Sequence, residues 1–217
     1  MPCVEACPSQ ALIAYGKVRT VDDVLRTVEQ DAAFYARSTG GMTLSGGEPL
    51  LQIDFALALL REARRRRIHT AIETCGRVPW ENFEKTAPYI NYFIYDIKSM
   101  DSAKHKEFTG ASNEITLENL QKLSALVPQK TILCRTPVIP GFNDNEEDIR
   151  AICEFIQSMP NVQYELLPYH RLGTQKYIFL ERTPLMGDVQ LDKSKMPLLR
   201  ATAINILGEQ RIAGLTK

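Results

Sequence analysis

Polar side chains that a hydrophobic core would not select stand at the ends of the predicted strands of this 217-residue chain. In a barrel of βα units the carboxyl ends of the strands meet at one rim, where active sites form. A ring of charges there is costly unless it is paired or solvated by a ligand. The pattern predicts a polar ligand site, although for any one residue an ordinary rim salt bridge in water is the alternative. The set is Glu48, Glu73, Asp96 with Lys98, Arg135 and His170.

A glycine pair precedes the first of these side chains. Gly46 and Gly47 allow the backbone to approach a ligand closely or to adopt a positive φ. Their amides could then meet a polar group, and Glu48 could accept a hydrogen bond from an ammonium group. A tight turn is the alternative for a bare glycine pair, but Glu48 and Pro49 directly after a strand favour binding.

Lys98 has two interpretations. It could form a Schiff base with a carbonyl substrate, as barrel lysines do in class I aldolases. It could instead be a cationic clamp, paired with Asp96 two residues earlier on the same strand face. A neighbouring carboxylate favours the charged form of a lysine, which opposes the nucleophilic role, so we favour the clamp.

Cysteines and arginines form two further patterns. Cys3 and Cys7, followed by Pro8, have the spacing found at the end of ferredoxin-type iron–sulfur motifs, with unpaired terminal thiols as the alternative. We interpret the other three cysteines as small hydrophobic residues. The run of arginines at 64–67 is interpreted as a solvated helix end, with docking to an acidic partner as the alternative.

Short β-rich runs alternate with helical patterns, which predicts βα units and a parallel sheet. Five strands are predicted, over residues 42–44, 68–74, 92–97, 131–138 and 162–167. Helices are predicted from Thr20, over 55–67 and 118–126, from Asn143 or Asp144 to about 159, and over 197–207. Residues 171–195 are predicted to be mostly loop. Strand alternation predicts that His170 shares its face with Leu166.

Composition excludes several classes. The 26 basic residues balance 26 acidic ones, so no global charge favours nucleic acid or an anionic membrane as partner. No apolar run approaches the ~18–20 residues of a membrane span, and the first residues lack the pattern of a signal peptide. Five cysteines without an export signal argue against a disulfide framework. We therefore predict a cytoplasmic protein with neither nucleic acid nor membrane as partner.

The motifs together resemble a known family. Residues 41–52 resemble the glycine–glycine–glutamate–proline segment of radical S-adenosylmethionine (SAM) enzymes. The wider match resembles the glycyl-radical enzyme activating enzymes of the pyruvate formate-lyase activating type. It extends over residues 68–76, 96–98, 135–141 and 166–170, and the segment with Cys3 and Cys7 resembles the tail of their ferredoxin-like insert.

The resemblance implies a fold, a reaction and partners. The fold is α/β, a partial TIM-type (β/α)6 barrel over residues 18–217, preceded at 1–17 by a remnant of the iron–sulfur insert. The reaction, in anaerobic metabolism, is reductive cleavage of SAM at a 4Fe-4S cluster, giving a 5′-deoxyadenosyl radical. That radical removes hydrogen from a glycine of the partner, a glycyl-radical enzyme, and the electron comes from a donor such as flavodoxin or ferredoxin.

Site residues follow from the same resemblance. Gly46, Gly47 and Glu48 are expected to bind the amino-acid end of SAM. The run Asp96-Ile97-Lys98 is expected to hold the methionyl carboxylate region, with Glu73, Arg135 and His170 also contacting SAM. Glu73, Thr74 and Asp96 match a monovalent cation site, with glutamate where the family has aspartate. Cys3 and Cys7 are expected to be remnant iron–sulfur ligands.

The chain departs from the family in one respect. It contains no Cys-x3-Cys-x2-Cys motif, the source of the three thiolates that hold the reactive cluster. The first strand and the cluster loop of the barrel are expected to be missing. We expect a truncated protein or an inactive remnant that cannot generate the radical by itself. Two alternatives are a Schiff-base barrel lyase using Lys98 and a non-catalytic module that docks a partner through the arginine run.

Overall fold

The computed structural model describes residues 2–14, 16–184 and 186–214. It divides into two compact units, residues 1–40 and residues 41–217. This division falls later in the chain than the boundary expected after residue 17. That boundary separates a remnant insert from the barrel, and it stays a prediction.

The described residues of the first unit form three helices: α1 (Pro2–Glu5), α2 (Val21–Glu29) and α3 (Ala32–Ser38). Helix α2 begins as predicted, because Thr20 and Asp23 form a reciprocal capping box that satisfies two free backbone donors. The segment after Thr20, predicted as one helix, forms two, because α2 ends at Glu29. Helix α3 is followed by Thr39, which has a left-handed backbone.

The second unit is built on a five-stranded sheet. The strands are β1 (Gly41–Leu44), β2 (His69–Thr74), β3 (Tyr92–Asp96), β4 (Ile132–Val138) and β5 (Val162–Pro168). They lie side by side in chain order, and every pairing is parallel. The predicted strands, their order along the chain and the parallel sheet are therefore confirmed.

Seven helices connect the strands and follow the last one in the described part of the second unit. They are α4 (Ile53–Arg65), α5 (Trp80–Thr86), α6 (Ser102–Thr109), α7 (Glu114–Leu126), α8 (Glu146–Gln157), α9 (Thr174–Phe179) and α10 (Lys195–Leu207). Short 3-10 turns lie at Pro49–Gln52, Ala87–Tyr89 and Glu209–Arg211.

Sequence reasoning missed some of these helices and placed one cap wrongly. Helices α5, α6 and α9 have six to eight residues, which is too short for a clear helical period. The prediction that Asn143 or Asp144 caps α8 is wrong, because Asn145 accepts from the amide of Asp148. Asn143 instead links loops by donating to the carbonyls of Lys98 and Pro137.

The two faces of the sheet differ in burial. Side chains such as Ile72, Phe93 and Tyr164 are fully buried on the face that helices cover. The other face is only half-buried, and Glu73 and Arg135 lie on it. This alternation places the charged side chains where a ligand can reach them.

The last described residues continue beside β5. Ile212 forms a parallel bridge with Tyr164, and the amide of Ala213 donates to the Tyr164 carbonyl at 2.8 Å. Within the described residues, the helices are too short and too polar for any of them to traverse a lipid bilayer.

Candidate functional site

A cluster of four charged side chains lies on the half-buried face of the sheet, at the carboxyl ends of β2 and β3 and beside the middle of β4. Arg135 pairs with Glu73 through its Nη2, and the same nitrogen lies 3.5 Å from Asp96 Oδ1. Lys98 Nζ lies 3.4 Å from Asp96 Oδ2. Ser45 Oγ donates a hydrogen bond to Glu73. The cluster arises because Asp96 and Arg135 are direct partners in the β3–β4 register.

The cluster is balanced in charge and partly shielded from water. The Arg135 side chain is only 17% exposed. Burial raises the pKa of Asp96, an effect that the Lys98 ammonium opposes. Burial lowers the pKa of Arg135, an effect that Glu165 opposes. A ligand charge would therefore interact here in a medium of lower dielectric than water, where each contact is stronger.

Glu48 is held against the end of β2. Its Oε2 accepts from Thr74 Oγ1 at 2.8 Å, from the Cys75 amide at 2.9 Å and from Cys75 Sγ at 3.2 Å. Its Oε1 accepts only from the Leu50 amide, at 3.2 Å, among the described residues. Because Oε1 accepts one hydrogen bond where Oε2 accepts three, Oε1 retains capacity for a ligand donor. Burial, together with Glu48, raises the pKa of the Cys75 thiol.

The loop after β2 is fixed by packing and hydrogen bonds. Gly76 has φ +73°, and a Cβ there would overlap the hydroxyl of Tyr95. That hydroxyl donates to the carbonyl of Thr116, and Asn119 donates to the Gly76 carbonyl at 2.8 Å. The Gly76 amide donates to Thr74 Oγ1. Thr74 is therefore oriented by the protein before it contacts Glu48.

The glycine pair borders open space. Gly46 has φ +137°, which favours glycine, whereas Gly47 is not among the residues with a positive φ. A Cβ added at either position would meet no protein atom within 4 Å. The backbone conformation of Gly46 therefore favours glycine, whereas nothing in the local structure requires glycine at position 47. A glycine there would allow a ligand to approach the backbone closely.

A cavity of about 460 Å³ adjoins the charged cluster. Its lining includes Lys98, Phe142, Tyr169 and His170. Lys98 is thus shared between the cluster and the cavity. His170 lies past the end of β5 and is exposed, whereas Leu166 is buried on the helix-covered face. The prediction that strand alternation gives these two residues one face is therefore wrong.

Two residues of the expected set lie apart from the charged cluster, although Thr74 contacts Glu48. Ile97 is fully buried, its amide donates to Arg135 O and its carbonyl accepts from Thr136 Oγ1. Thr74 lies on the opposite strand face from Glu73. The expected monovalent cation site at Glu73, Thr74 and Asp96 stays a prediction. In the structure the Arg135 guanidinium contacts both Glu73 and Asp96.

Sequence reasoning missed Ser45, the contacts of Thr74 and Cys75 to Glu48, and Glu165. Glu165 is the register partner of Arg135 on β5, so strand alternation alone could have found it. Ser45 directly precedes the glycine pair, and that adjacency was a usable signal. Nothing in the sequence indicated that Cys75 meets Glu48, because their contact depends on how β1 and β2 pair.

The cysteines of this chain do not fit a 4Fe-4S cluster. Cys134 and Cys153 are buried, and burial raises the pKa of each, to about 12 for Cys153. Across the described ranges, no group of three or more histidine, cysteine or acidic side chains is placed to hold a metal ion. Cys3 and Cys7 lie in the first unit, and their role as remnant ligands stays a prediction.

Comparison with known proteins gives the family. Residues 7–156 match the model of the Radical SAM superfamily. The chain is 60% identical over 210 residues to the isethionate sulfite-lyase activating enzyme of Desulfovibrio desulfuricans (strain ATCC 27774 / DSM 6949 / MB), covering 97% of this chain and 67% of the relative. It is 50% identical over 185 residues to the (2S)-3-sulfopropanediol sulfolyase activating enzyme of Bilophila wadsworthia (strain 3_1_6), covering 85% and 61%.

A solved structure supports the same family. A domain of pyruvate-formate lyase-activating enzyme from Bacteroides vulgatus ATCC 8482 superposes with a TM-score of 0.64 at 26% identity, covering 77% of this chain and 94% of that one. The chain spans about three-fifths to two-thirds of the length of the curated relatives it matches. It belongs to the radical SAM superfamily, among the glycyl-radical enzyme activating enzymes, and its five parallel strands form their partial barrel.

Proposed function

We propose that this chain is the SAM-binding body of an activating enzyme. The proposal rests on the position of Lys98. Its ammonium pairs with Asp96 of the Glu73–Arg135–Asp96 cluster, and the same side chain lines the 460 Å³ cavity at the carboxyl ends of the strands. Lys98 and Arg135 would hold the carboxylate of SAM, and Glu48 Oε1 would accept from its ammonium. Tyr169 and His170 would contact the nucleoside part from the cavity wall.

The bound sulfonium supplies the chemistry, since its reductive cleavage yields methionine and a 5′-deoxyadenosyl radical in this family. The residues of this chain bind and orient SAM, and the partly buried cluster shields it from water. Delivery of the electron needs a cluster that the cysteines of this chain do not assemble. We therefore propose that the chain alone binds SAM without cleaving it.

The partner proposed is a glycyl-radical enzyme. The relatives at 60% and 50% identity are named for isethionate sulfite-lyase and for a sulfopropanediol sulfolyase. This supports, as the activated enzyme, a lyase that acts on a small sulfonate. We propose a cytoplasmic location and an electron donor such as flavodoxin or ferredoxin for the whole activating enzyme.

A glycine substitution tests the binding proposal. Gly47→Ala places a methyl group where no protein atom lies within 4 Å, so the free energy of unfolding should change little. If the amino-acid end of SAM approaches this backbone, its affinity should fall about tenfold or more. Isothermal titration calorimetry with SAM measures the loss. The nucleoside 5′-methylthioadenosine, which lacks the amino-acid end, is the control and should bind both proteins equally.

Two results would contradict the proposal. Equal affinity of SAM for the wild-type chain and for Gly47→Ala would remove the glycine pair from the site. Absence of SAM binding to the folded wild-type chain would remove the site itself. The statement about cleavage has a separate assay: release of 5′-deoxyadenosine after incubation with iron, sulfide, dithionite and SAM would refute it.

The Schiff-base alternative is not favoured. Lys98 is ion-paired with Asp96 at 3.4 Å, and this pair requires a protonated amine. Imine formation requires a neutral amine. Borohydride trapping of a carbonyl compound on Lys98 would be needed to revive that alternative.

A further inference from the structure

The four consecutive arginines at the end of α4 divide into two pairs with different surroundings. Arg65 and Arg66 both contact the carboxylate of Glu62, at 2.5 Å and 2.8 Å. Arg64 instead donates to the Pro88 carbonyl at 3.1 Å. Arg67 lies two residues past the end of α4 and lines the same cavity as Arg64. The second pair therefore faces a different part of the molecule.

Arg64 and Arg67 line a cavity of about 370 Å³ together with His69, Asn91 and Lys130. His69 is the first residue of β2, Asn91 directly precedes β3, and Lys130 lies two residues before β4. Because all strands are parallel, this cavity lies at the opposite end of the sheet from Glu48 and Asp96. It is separate from the proposed SAM site.

The lining of the cavity supplies hydrogen-bond donors without a balancing carboxylate. None of its residues is acidic, and within the described ranges Arg64, Arg67 and Lys130 form no ion pair. The Asn91 Oδ1 is engaged by the Thr70 amide at 3.0 Å, which leaves its amino group as a donor.

The cations also repel one another. Lys130 Nζ donates to the carbonyls of Ala87 and Ile90, which leaves one of its three donor hydrogens for a ligand. Burial lowers the pKa of Lys130, and the nearby Arg64 guanidinium lowers it further.

Arg67 is held with a left-handed backbone, φ +60°, which costs free energy for a residue other than glycine. The negative end of the α4 macrodipole, about half an elementary charge, offsets only part of the positive charge of the cations that line the cavity.

We propose that this cavity binds the phosphate group of a small molecule. A dianion would neutralise the uncompensated cations, and guanidinium groups match phosphate oxygens in a bidentate geometry. The amide of Asn91 and the remaining hydrogen of Lys130 add two donors. At the amino ends of barrel strands, residues serve stability rather than catalysis, so a phosphate bound there would act as a stabilising or regulatory ligand.

The experiment measures binding of inorganic phosphate to the purified 217-residue chain by calorimetry and by thermal unfolding. Ionic strength is held constant with potassium chloride. We expect a saturable rise in Tm, and about tenfold weaker binding in Arg67→Asn, because one charge-assisted contact is lost. Asparagine tolerates the left-handed backbone of this position. The matched control is Arg65→Gln, which removes a neighbouring positive charge outside the cavity and should bind phosphate like the wild type.

Glycerol phosphate, with glycerol as its uncharged control, distinguishes the source of the phosphate. Tighter binding of the ester than of inorganic phosphate supports a phosphorylated metabolite, and equal binding supports free phosphate. Three results would overturn the proposal: no saturable effect beyond that of chloride, equal loss in Arg67→Asn and Arg65→Gln, or binding of an acidic peptide without binding of phosphate.

Discussion

At the scale of single residues, the site depends on side chains that are oriented before a ligand arrives. Glu48 is the clearest case, since Thr74 and Cys75 supply three donors to one of its oxygens. Thr74 is itself oriented by the amide of Gly76. The free capacity of the carboxylate is thereby directed to its other oxygen. We infer that Thr74 is a positioning residue for Glu48, because it acts through that side chain.

Replacing Thr74 tests this role. Thr74→Val removes the hydroxyl but keeps the shape of the side chain, so Glu48 loses one donor, worth about 1.5 kcal/mol for a charged acceptor. We expect SAM affinity to fall about tenfold in calorimetry, and Thr74→Ser to retain wild-type affinity. In a Glu48→Gln background the valine substitution should cause little further loss. A full additional loss in that background would instead assign Thr74 a general structural role.

At the scale of elements, strand alternation and pairing account for most of the site. The structure places Glu73, Asp96 and Arg135 on the half-buried face of the sheet. Helix ends were less predictable because capping depends on side-chain contacts of one or two residues. At the end of α4, Glu62 accepts from both Arg65 and Arg66. Because Glu62 engages Arg65 and Arg66, the two arginines that line the proposed phosphate cavity are Arg64 and Arg67.

The Glu62 contacts predict a pH dependence. The hydrogen bonds from Arg65 and Arg66 lower the pKa of Glu62 from 4.5 to about 2. A carboxyl group whose pKa is lower in the folded state stabilises it above the ordinary pKa, and this contribution disappears as the pH falls towards 2. We expect wild type to exceed Glu62→Gln in Tm at pH 6, with the difference shrinking between pH 4.5 and 2. Glu118→Gln, which removes one exposed pair with Lys122, is the control. A difference that persists unchanged at pH 2 would contradict the assignment.

At the scale of the whole molecule, each unit has its own organisation, and the last described residues complete the second one. Arg211 follows α10 and donates to four main-chain carbonyls, those of Val162, Gln157, Ile156 and Met159. These contacts tie the segment after α10 to the end of α8 and the start of β5. Three of the four carbonyls lie at or just past the end of α8, where a helix runs out of intrahelical donors.

Arg211 should therefore contribute strongly to stability. Arg211→Met keeps most of the aliphatic stem and removes the donors, so we expect a loss of about 2–3 kcal/mol in urea unfolding. Arg200→Met on α10 is the matched control, since Arg200 has no ion pair or side-chain hydrogen bond within the described residues. Equal losses in both variants would show that charge removal, rather than the four carbonyl contacts, is responsible.

The sequence by itself determined the family, the parallel strands and the residues at their carboxyl ends. These follow from local patterns: alternation of period two, turns and short motifs whose chemistry is carried by neighbouring residues. The tertiary structure decided what spacing along the chain does not encode. Pairing of β1 with β2 brings Cys75 to Glu48. Packing of the strands and helices also brings Asn91 and Lys130 beside Arg64 and Arg67 in one cavity, because contacts between residues distant in sequence depend on how the elements pack.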